Sequence, residues 1–336
     1  MLSIVVGGFY GDEGKGKVVG YLASTDNPEF VVRAGGGPQA GHTVTEGKKV
    51  TQIPSGFINP DSKLLIARGT VINPEVVLRE IENYAVSNRI GIDYGCTIIQ
   101  EEHKEREQDL VNRVGSVGTG TGPARVDRIL RKARIAKEIE SLKPYLVDVA
   151  SEVSQASSAN KNILVEGVQG YGLSLLNYKF YPFVTSQDTT ASQFAADIGI
   201  GPKAIDEIIV VFKSYVSRVG KGPMKSHWSE KEQQKKGIEE RGTVSGRLRR
   251  LGDFDKNMAK EAIIANTATV AAITCVDRLF KGNSGVKDFN KLTSQVQDFI
   301  NEINSTLKKE SPYFKGITLI STGPDLKDTI DLRRSI

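Results

Sequence analysis

The chain is poor in cysteine: only Cys96 and Cys275 occur in 336 residues, and neither belongs to a Cys-x-x-Cys pair. A disulfide framework and a structural zinc site are therefore not expected. No apolar run approaches the ~18 residues that a membrane-spanning helix needs, and we expect no signal peptide before the first strand. These absences fit a protein of the reducing cytoplasm, and we expect no membrane partner.

A long block of lysine and arginine is also missing, although the formal net charge is +5 and the pI is about 9.0. The chain shows no aromatic motif of the RNA-binding kind. A basic balance without these features favours small anionic ligands over nucleic acid. Histidine is scarce as well. We expect His103 and His227 at the surface, whereas His42 lies in a glycine-rich segment and is a candidate functional residue.

What the chain does have is a glycine-rich start. The apolar run 2–6 predicts a buried strand, the string GGFYGDEGKGK follows at 7–17, and a helix is expected from Lys17. Such a strand-to-helix turn leaves backbone N–H groups free at a positive helix end, which is a phosphate-binding geometry. Two carboxylates, Asp12 and Glu13, lie where anions would bind, and they suit a metal ion or a proton transfer.

This loop differs from the Walker A pattern, which is Gly, four residues, then Gly-Lys-Ser/Thr. Phe9 stands at the position of the first glycine, and Gly16 stands at the position of the metal-binding hydroxyl. The Mg²⁺ of a bound nucleotide would need another ligand, and Asp12 is the nearest candidate. The alternative is a tight structural turn with solvated charges.

Beyond the loop, short β-rich runs alternate with helical patterns, which predicts an α/β fold: a mostly parallel central sheet with helices on both faces. The predicted strands after the first are 30–33, 63–67, 162–166, 208–212, 271–276 and 317–320. In such sheets ligands bind at the carboxyl ends of strands. We expect a long helical stretch over 123–154, a loose connection over 154–160 and a peripheral helix over 288–309. The prediction is one domain, 1–336, with peripheral helical embellishments.

Two strings carry a family resemblance. The sequence GDEGKGK at 11–17 is similar to the signature of the adenylosuccinate synthetase family, and QAGHT at 39–43 is similar to the family's second signature. Further matching segments lie at 165–170, 181–186, 242–247 and 321–325. Their order and wide spread cover almost the whole chain, which resembles the compact form common in archaea.

The resemblance implies a P-loop-like GTP-binding fold and a GTP-dependent ligase of purine biosynthesis. IMP, L-aspartate and GTP would give adenylosuccinate, GDP and phosphate through a 6-phosphoryl-IMP intermediate. Asp12 would take the N1 proton and bind the single Mg²⁺ of each subunit, with the Gly41 carbonyl as a second ligand. His42 would donate to charge developing on the oxygen. A homodimer is implied, in which Arg131 crosses to the partner's IMP phosphate.

The same resemblance assigns the remaining ligand contacts. The implied GTP-binding residues are Glu13, Gly14, Lys15, Gly16, Lys17, Gly41, Thr43, Arg249, Asp277, Ser321, Thr322, Gly323 and Pro324. The implied IMP-binding residues are Asp12, Lys15, Gln39, Ala40, Val117, Arg131, Gln169, Thr185 and Arg247. The implied aspartate-binding residues are Thr243, Val244, Ser245, Gly246, Arg247 and Arg249.

Some of these residues also have plain structural interpretations. Asp277 could bond to the next turn, Gln169 could cap a turn, and Arg131 could be an exposed helix arginine. The chain also departs from the family pattern at four places. These are Leu248 inside an arginine run, Gln39 for Asn, Ser116-Val117 for a Thr-Thr pair and Cys275 for Lys.

Two alternative functions stay open at this point. One is the viral relative that acts on a guanine nucleotide, which lacks the catalytic aspartate, so Asp12 counts against it. The other is a GTP-binding switch without ligase activity, against which Gln169, Arg247 and His42 count.

Overall fold

A ten-stranded sheet forms the centre of the computed structural model, which describes residues 1–335. The strands of the described chain are β1 Leu2–Gly7, β2 Phe30–Arg33, β3 His42–Thr45, β4 Lys48–Val50, β5 Lys63–Ile66, β6 Val71–Ile72, β7 Ile90–Asp93, β8 Thr97–Ile98, β9 Leu146–Val147, β10 Ile163–Glu166, β11 Glu207–Lys213, β12 Val216–Arg218, β13 Arg250–Gly252, β14 Val270–Thr274, β15 Gly316–Ser321 and β16 Thr329–Asp331. The order in the large sheet is β16-β15-β14-β11-β1-β10-β2-β5-β7-β9. Every pairing in it is parallel except β15 with β16. The predicted mostly parallel sheet is confirmed.

Helices cover both faces of this sheet. They are α1 Lys15–Asp26, α2 Pro74–Asn83, α3 Glu101–Arg106, α4 Gln108–Val114, α5 Thr121–Ile129, α6 Val149–Ser158, α7 Ala191–Ile198, α8 Glu230–Lys236, α9 Lys256–Asn266, α10 Val276–Leu279 and α11 Ser294–Lys308. Alternate side chains of β1 enter different cores: Ile4 and Val6 pack with α6, α7, α9 and α11, whereas Val5 packs with α1 and α2. The strand is buried on both faces, which is why it is an unbroken apolar run. Within residues 1–335, no helix is both long and apolar enough to cross a membrane.

The prediction of one long helical stretch over 123–154 is wrong. Helix α5 ends at Ile129, and Arg131 then adopts a left-handed backbone with φ 60°, which a continuing helix cannot accommodate. Short 3₁₀ turns and β9 follow before α6 begins at Val149. The expected loose connection at 154–160 is largely the second half of α6. The predicted peripheral helix is confirmed as α11.

The parallel arrangement brings the carboxyl ends of five strands to one edge. β1, β2, β10, β11 and β14 are consecutive or near neighbours in the sheet, and the loops that leave them meet above that edge. Arg33 at the end of β2 is in register with Glu166 at the end of β10. This edge is where the doubly wound architecture predicts a ligand site.

Gly16 allows the first turn of α1 to contact the start of β3. A Cβ at this position would lie 2.8 Å from the Cβ of His42 and 2.8 Å from the carbonyl oxygen of Thr43. Real Cβ atoms do not approach that closely, so any larger residue would push β3 away from the helix. Close packing against β3 therefore explains why a glycine stands where the Walker A pattern has its metal-binding hydroxyl.

We predict that Gly16→Ser destabilises the protein by about 1–3 kcal/mol, because the added atoms overpack this contact. Denaturant unfolding measures the change. Gly201→Ser is the matched control, since φ at Gly201 is −75° and a Cβ there would have no neighbour within 4 Å. An unfolding free energy of Gly16→Ser equal to that of the control would contradict the packing argument.

Candidate active site

The loop after β1 is fixed in place by a buried ion pair between Glu13 and Lys15. The Glu13 carboxylate accepts hydrogen bonds from the backbone N–H groups of Phe9 at 2.9 Å and Gly11 at 2.8 Å. Its other oxygen lies 2.8 Å from the ammonium of Lys15, and both side chains are 1% exposed. Lys15 also donates to the carbonyl of Gln169, in the loop after β10. The ammonium therefore faces into the protein, and the first-turn N–H groups of α1 are the donors left for a phosphate.

Asp12 is the carboxylate of this loop that faces the opposite way. Its Oδ1 accepts a hydrogen bond from Arg249 at 2.7 Å, and the side chain is 21% exposed. Burial raises the pKa of Asp12 above its ordinary value, and the Arg249 guanidinium opposes part of that rise. A carboxylate with a raised pKa is a stronger base than an ordinary aspartate.

Arg249 is anchored by Glu240, a residue that the sequence analysis did not single out. The Glu240 carboxylate accepts from Arg249 at 2.9 Å, from Lys213 at 2.7 Å and from Arg278 at 2.8 Å, and it accepts a further bond from the hydroxyl of Tyr215. Burial would raise the pKa of Glu240, but these cations outweigh it and hold the pKa far below the ordinary range. Glu240 stays charged and fixes Arg249 beside Asp12.

His42 is the first residue of β3, and one nitrogen of its ring, Nδ1, makes contacts within the protein. Nδ1 contacts both the Glu166 carboxylate and Arg33 Nη1, the latter at 2.6 Å. Arg33 also donates to Glu166 at 2.9 Å, and Ser55 donates to Glu166 from its N–H at 2.6 Å. Burial would raise the pKa of Glu166, but Arg33 and His42 outweigh it and lower the pKa to about 2. Glu166 and Arg33 were absent from the predicted site, and the structure brings both to its centre.

The free side of the His42 ring faces a cavity. Burial and the neighbouring Arg33 lower the pKa of His42 to about 4, with Glu166 offsetting part of the effect. Nε2 is buried and has no hydrogen-bond partner among the described residues. A buried polar atom without a partner is costly, so Nε2 is placed for a ligand.

The cavity measures about 660 Å³ and lies above the carboxyl edge of the sheet. The predicted site residues that line it are Asp12, Gln39, Ala40, Gly41, His42, Val117, Gln169, Thr185, Thr243, Val244 and Ser245. Gln169 donates to the Thr185 hydroxyl at 2.6 Å, and its Oε1 is buried without a partner in the part of the chain that the structure describes. Chain segments far apart in sequence thus meet around one cavity.

The loop over 242–246 closes one side of this cavity. A Cβ on Gly41 would lie 2.8 Å from Val244 and 3.0 Å from Thr243, so only glycine fits against the loop. Arg247 does not line the cavity, and its Nη2 donates to the carbonyls of Gly115 at 3.1 Å and Ser116 at 2.8 Å. The loop is therefore attached to the segment that contains Val117.

The predicted guanine-side residues form a separate group, at the ends of β14 and β15. The Lys17 ammonium donates to Ser321 Oγ at 2.5 Å, to the Gly323 carbonyl at 2.5 Å and to the Asp328 carbonyl at 2.9 Å. Burial lowers the pKa of Lys17 to about 8. Asp277 lies in the short helix α10 rather than at the end of a strand, because β14 stops at Thr274. None of these residues is among those that line the cavity.

His103 is buried, so its expected surface position is wrong. Its Nδ1 accepts from the Gln100 N–H at 2.9 Å and its Nε2 lies 3.0 Å from Asp127, so the ring caps α3. Glu102, His103 and Asp127 have the proximity of metal ligands. However, Arg106 donates to both oxygens of Asp127, at 2.8 and 2.9 Å, so a cation already occupies that carboxylate. His227 is exposed, as predicted.

A glycine-rich turn at a helix N-terminus, a tethered histidine and an aspartate around one cavity define an α/β enzyme that binds phosphorylated ligands. A family model, "Adenylosuccinate synthetase", matches residues 4–140 and 132–283. The adenylosuccinate synthetase of Archaeoglobus fulgidus is 48% identical over 338 residues, covering 99% of this chain and 98% of that protein. That of Thermococcus sibiricus is 48% identical over 342 residues, covering 99% of each. The chain belongs to the adenylosuccinate synthetase family, whose members are GTP-dependent ligases.

Solved structures agree on the fold. Fully ligated adenylosuccinate synthetase from Plasmodium falciparum superposes with a TM-score of 0.88 at 22% identity, covering 98% of this chain and 99% of that one. A cyanophage S-2L succinoaminodeoxyadenylate synthetase bound to dGMP and dATP superposes with a TM-score of 0.79, also at 22% identity, covering 98% and 95%. This chain thus has the same fold as the viral protein. Its sequence, however, is 48% identical to the archaeal synthetases and only 22% identical to the viral protein.

We predict that the His42 imidazole stays uncharged from pH 7 down to about pH 5, since its pKa is lowered to about 4. Imidazole NMR shifts followed against pH measure this, and His42→Gln identifies the signal. Because the folded pKa lies below the unfolded one, the protein also loses stability as the pH falls from about 6.5 towards 4. A His42 titration midpoint near 6.5 would show that the ring is not held as described.

Proposed function

We propose that the residues around the cavity activate IMP by phosphorylating its C6 oxygen, so that L-aspartate can displace it. The chain is a GTP-dependent ligase that joins IMP and L-aspartate to give adenylosuccinate, GDP and phosphate. The observation that carries the proposal is the meeting of Asp12, His42 and Gln169 on one cavity, with buried and unpartnered atoms on two of them. We treat residues 1–336 as one domain that works in the cytoplasm.

Asp12 removes the N1 proton of the hypoxanthine. The C6 oxygen is a poor nucleophile while N1 keeps its proton, and deprotonation moves charge onto that oxygen. The raised pKa of Asp12 supports this role. Gln169 offers both a donor and an acceptor to a purine edge, and its free Oε1 supports contact with the base.

His42 donates from Nε2 to the charge that develops on the oxygen during phosphoryl transfer. In the neutral ring, Nδ1 can accept from Arg33, which leaves the proton on Nε2. In the charged ring, Nδ1 donates to Glu166. Nε2 therefore has a proton to offer in either case, and an anionic ligand beside it favours the charged ring.

Mg²⁺ fits the donor set at this point of the cavity. The Asp12 carboxylate and the Gly41 carbonyl would be its oxygen ligands, since both residues line the cavity and Mg²⁺ takes one or two protein oxygens together with substrate phosphates. A bound Mg²⁺ would supply charge neutralisation to the transferred phosphoryl group. Asp12 would have to exchange its contact with Arg249 for the metal.

GTP and L-aspartate would approach from opposite sides of Asp12. The first turn of α1 holds the phosphates of GTP, and Asp277 accepts from the N1–H and 2-amino groups of guanine, with Gly323 and Pro324 against the base. Arg247 and Arg249 grip the carboxylates of L-aspartate, as arginine forks do. The position of Arg249, 2.7 Å from Asp12, supports delivery of aspartate close to C6.

The proposed homodimer uses Arg131 in the partner's site. Arg131 is exposed and lies outside the cavity of its own chain. Beside it, Val126, Ile129 and Leu130 are 48%, 68% and 54% exposed. A cluster of exposed apolar side chains next to an arginine that makes no salt bridge in the described chain supports a subunit contact there.

We predict that Asp12→Asn lowers turnover by about 10²–10⁴, because the amide cannot take the N1 proton. GTP should still bind measurably, since the first turn of α1 is unchanged. Steady-state kinetics and nucleotide titration measure the two effects. Asp298→Asn, on the exposed face of α11, is the control and should behave as wild type. Near-normal turnover of Asp12→Asn would remove the residue from this role.

We predict that Arg131→Ala weakens IMP binding and that mixing it with Asp12→Asn restores activity. A hybrid dimer contains one intact site, so a 1:1 mixture should reach about a quarter of wild-type activity. Arg79→Ala, an exposed arginine on α2, is the control and should leave IMP affinity unchanged. Normal IMP affinity of Arg131→Ala alone would disprove the shared site, and so would a mixture that is no more active than the separate variants.

A further inference from the structure

One cation on the cavity wall makes no salt bridge to a carboxylate within residues 1–335. Arg125, on α5, lines the cavity, and its Nη2 donates to two neutral oxygens, the Gly69 carbonyl at 3.0 Å and Gln187 Oε1. Its Nε is buried and has no partner within residues 1–335. Burial lowers the pKa of Arg125, and Asp197 offsets part of the effect without forming a salt bridge to it in the described chain. A half-buried cation that makes no direct salt bridge is stabilised when an anion binds beside it.

The other cationic side chains that line the cavity already contact other groups of the protein. Arg106 is paired with Asp127 and Arg113 with Asp109. Arg218 is 1% exposed and stacks 4.6 Å from the ring of Tyr10. It also donates to the carbonyls of Phe183 and Pro223 at 2.6 and 2.8 Å.

Lys221 is exposed at the rim, where it donates to the Asn112 carbonyl at 2.6 Å. Arg218 Nε is also buried without a partner among the described residues, but that guanidinium stacks on Tyr10. Arg125 has a cavity position and a buried, unused donor, and within residues 1–335 it has neither a salt bridge nor an aromatic partner.

Arg125 lines the same cavity as Gln39 and Thr185, two residues that the family resemblance assigns to IMP, and its neighbours link it to both. On one side, Thr121 is one turn earlier on α5, and its hydroxyl donates to Gln39 Oε1 at 2.6 Å. On the other side, Gln187 accepts from Arg125 and from the Gly36 N–H at 3.1 Å, and it follows Thr185 by two residues. The guanidinium is therefore connected to Thr185 through the short segment that ends at Gln187, and to Gln39 through one turn of α5.

The cavity lining has lost a donor relative to the family pattern. Val117 lines the cavity at a position where the resemblance expects a threonine that meets the IMP phosphate. Valine has no hydroxyl, so this chain must hold the phosphate with other groups. A guanidinium offers several N–H donors in a fork that matches phosphate oxygens.

We propose that Arg125 binds the 5′-phosphate of IMP from within the same subunit and distinguishes the nucleotide from its nucleoside. The inference rests on the proposed function, since it names how that site holds its purine substrate. A phosphate monoester carries about 1.5 to 2 negative charges at pH 7, so it supplies the direct ion pair that Arg125 does not form within residues 1–335. This contact is additional to the one proposed for Arg131 of the partner subunit.

The test is a thermodynamic cycle of binding affinities. The substitution removes the guanidinium from the protein, and inosine lacks the phosphate of IMP. Dissociation constants for IMP and for inosine are measured with the wild type, Arg125→Gln and the control Arg128→Gln, an exposed arginine of α5 that does not line the cavity. We expect Arg125→Gln to lose about 10- to 100-fold in IMP affinity, as for a hydrogen bond to a charged group, and to change inosine binding little. Arg128→Gln should keep both values. An unchanged ratio of IMP to inosine affinity in folded Arg125→Gln would overturn the proposal.

A measurement on the wild type covers the case in which Arg125→Gln does not fold. Phenylglyoxal modifies accessible arginines, and peptide mass spectrometry locates the product. IMP should protect Arg125 and inosine should not, whereas Arg128 should react in both. Equal protection of Arg125 by the two ligands, or by neither, would contradict the proposal.

The outcomes separate this inference from the function on which it rests. A wild-type protein that makes no adenylosuccinate from IMP, GTP and L-aspartate would refute the proposed function itself. A wild type that makes adenylosuccinate, together with an Arg125→Gln variant that keeps its preference for IMP over inosine, would refute only the role of Arg125.

Discussion

The site depends on the buried ion pair between Glu13 and Lys15. Both side chains are 1% exposed, and removing two charges from water is costly unless every polar atom finds a partner. Here the carboxylate also accepts from two backbone N–H groups, and the ammonium also donates to the carbonyl of Gln169. The pair therefore fixes the loop after β1 to the loop after β10. Asp12, which precedes the two paired residues in sequence, is left as the carboxylate that faces the cavity.

Two further charged groups set the electrostatics of the cavity. Glu240 holds Arg249 beside Asp12, and Glu166 and Arg33 hold His42 through contacts with Nδ1 of its ring. In both cases a buried carboxylate stays charged because arginine and neighbouring donors stabilise it, and it orients the group that faces the ligand. Preorganised charges of this kind need no rearrangement during reaction, which is how electrostatic catalysis acts.

The sequence was sufficient to predict the parallel sheet, because its strands are buried on both faces and are short apolar runs. It also placed Asp12 and His42 among the candidates, since each lies in a glycine-rich string. Glu166, Arg33 and Glu240 were missed as site residues because their partners are distant in sequence. Glu166 and Arg33, for example, meet only through the register of β10 with β2. A motif also does not give side-chain direction: Lys15 lies in the phosphate-binding string, yet its ammonium faces inward.

The central claim is that the C6 oxygen of IMP is phosphorylated before L-aspartate displaces it. IMP labelled with ¹⁸O at C6 tests this most directly, when it is incubated with GTP, Mg²⁺ and L-aspartate and the released phosphate is analysed by mass spectrometry. The account predicts that the phosphate carries the ¹⁸O label in proportion to the adenylosuccinate formed. Label that appears in water, with unlabelled phosphate, would contradict it.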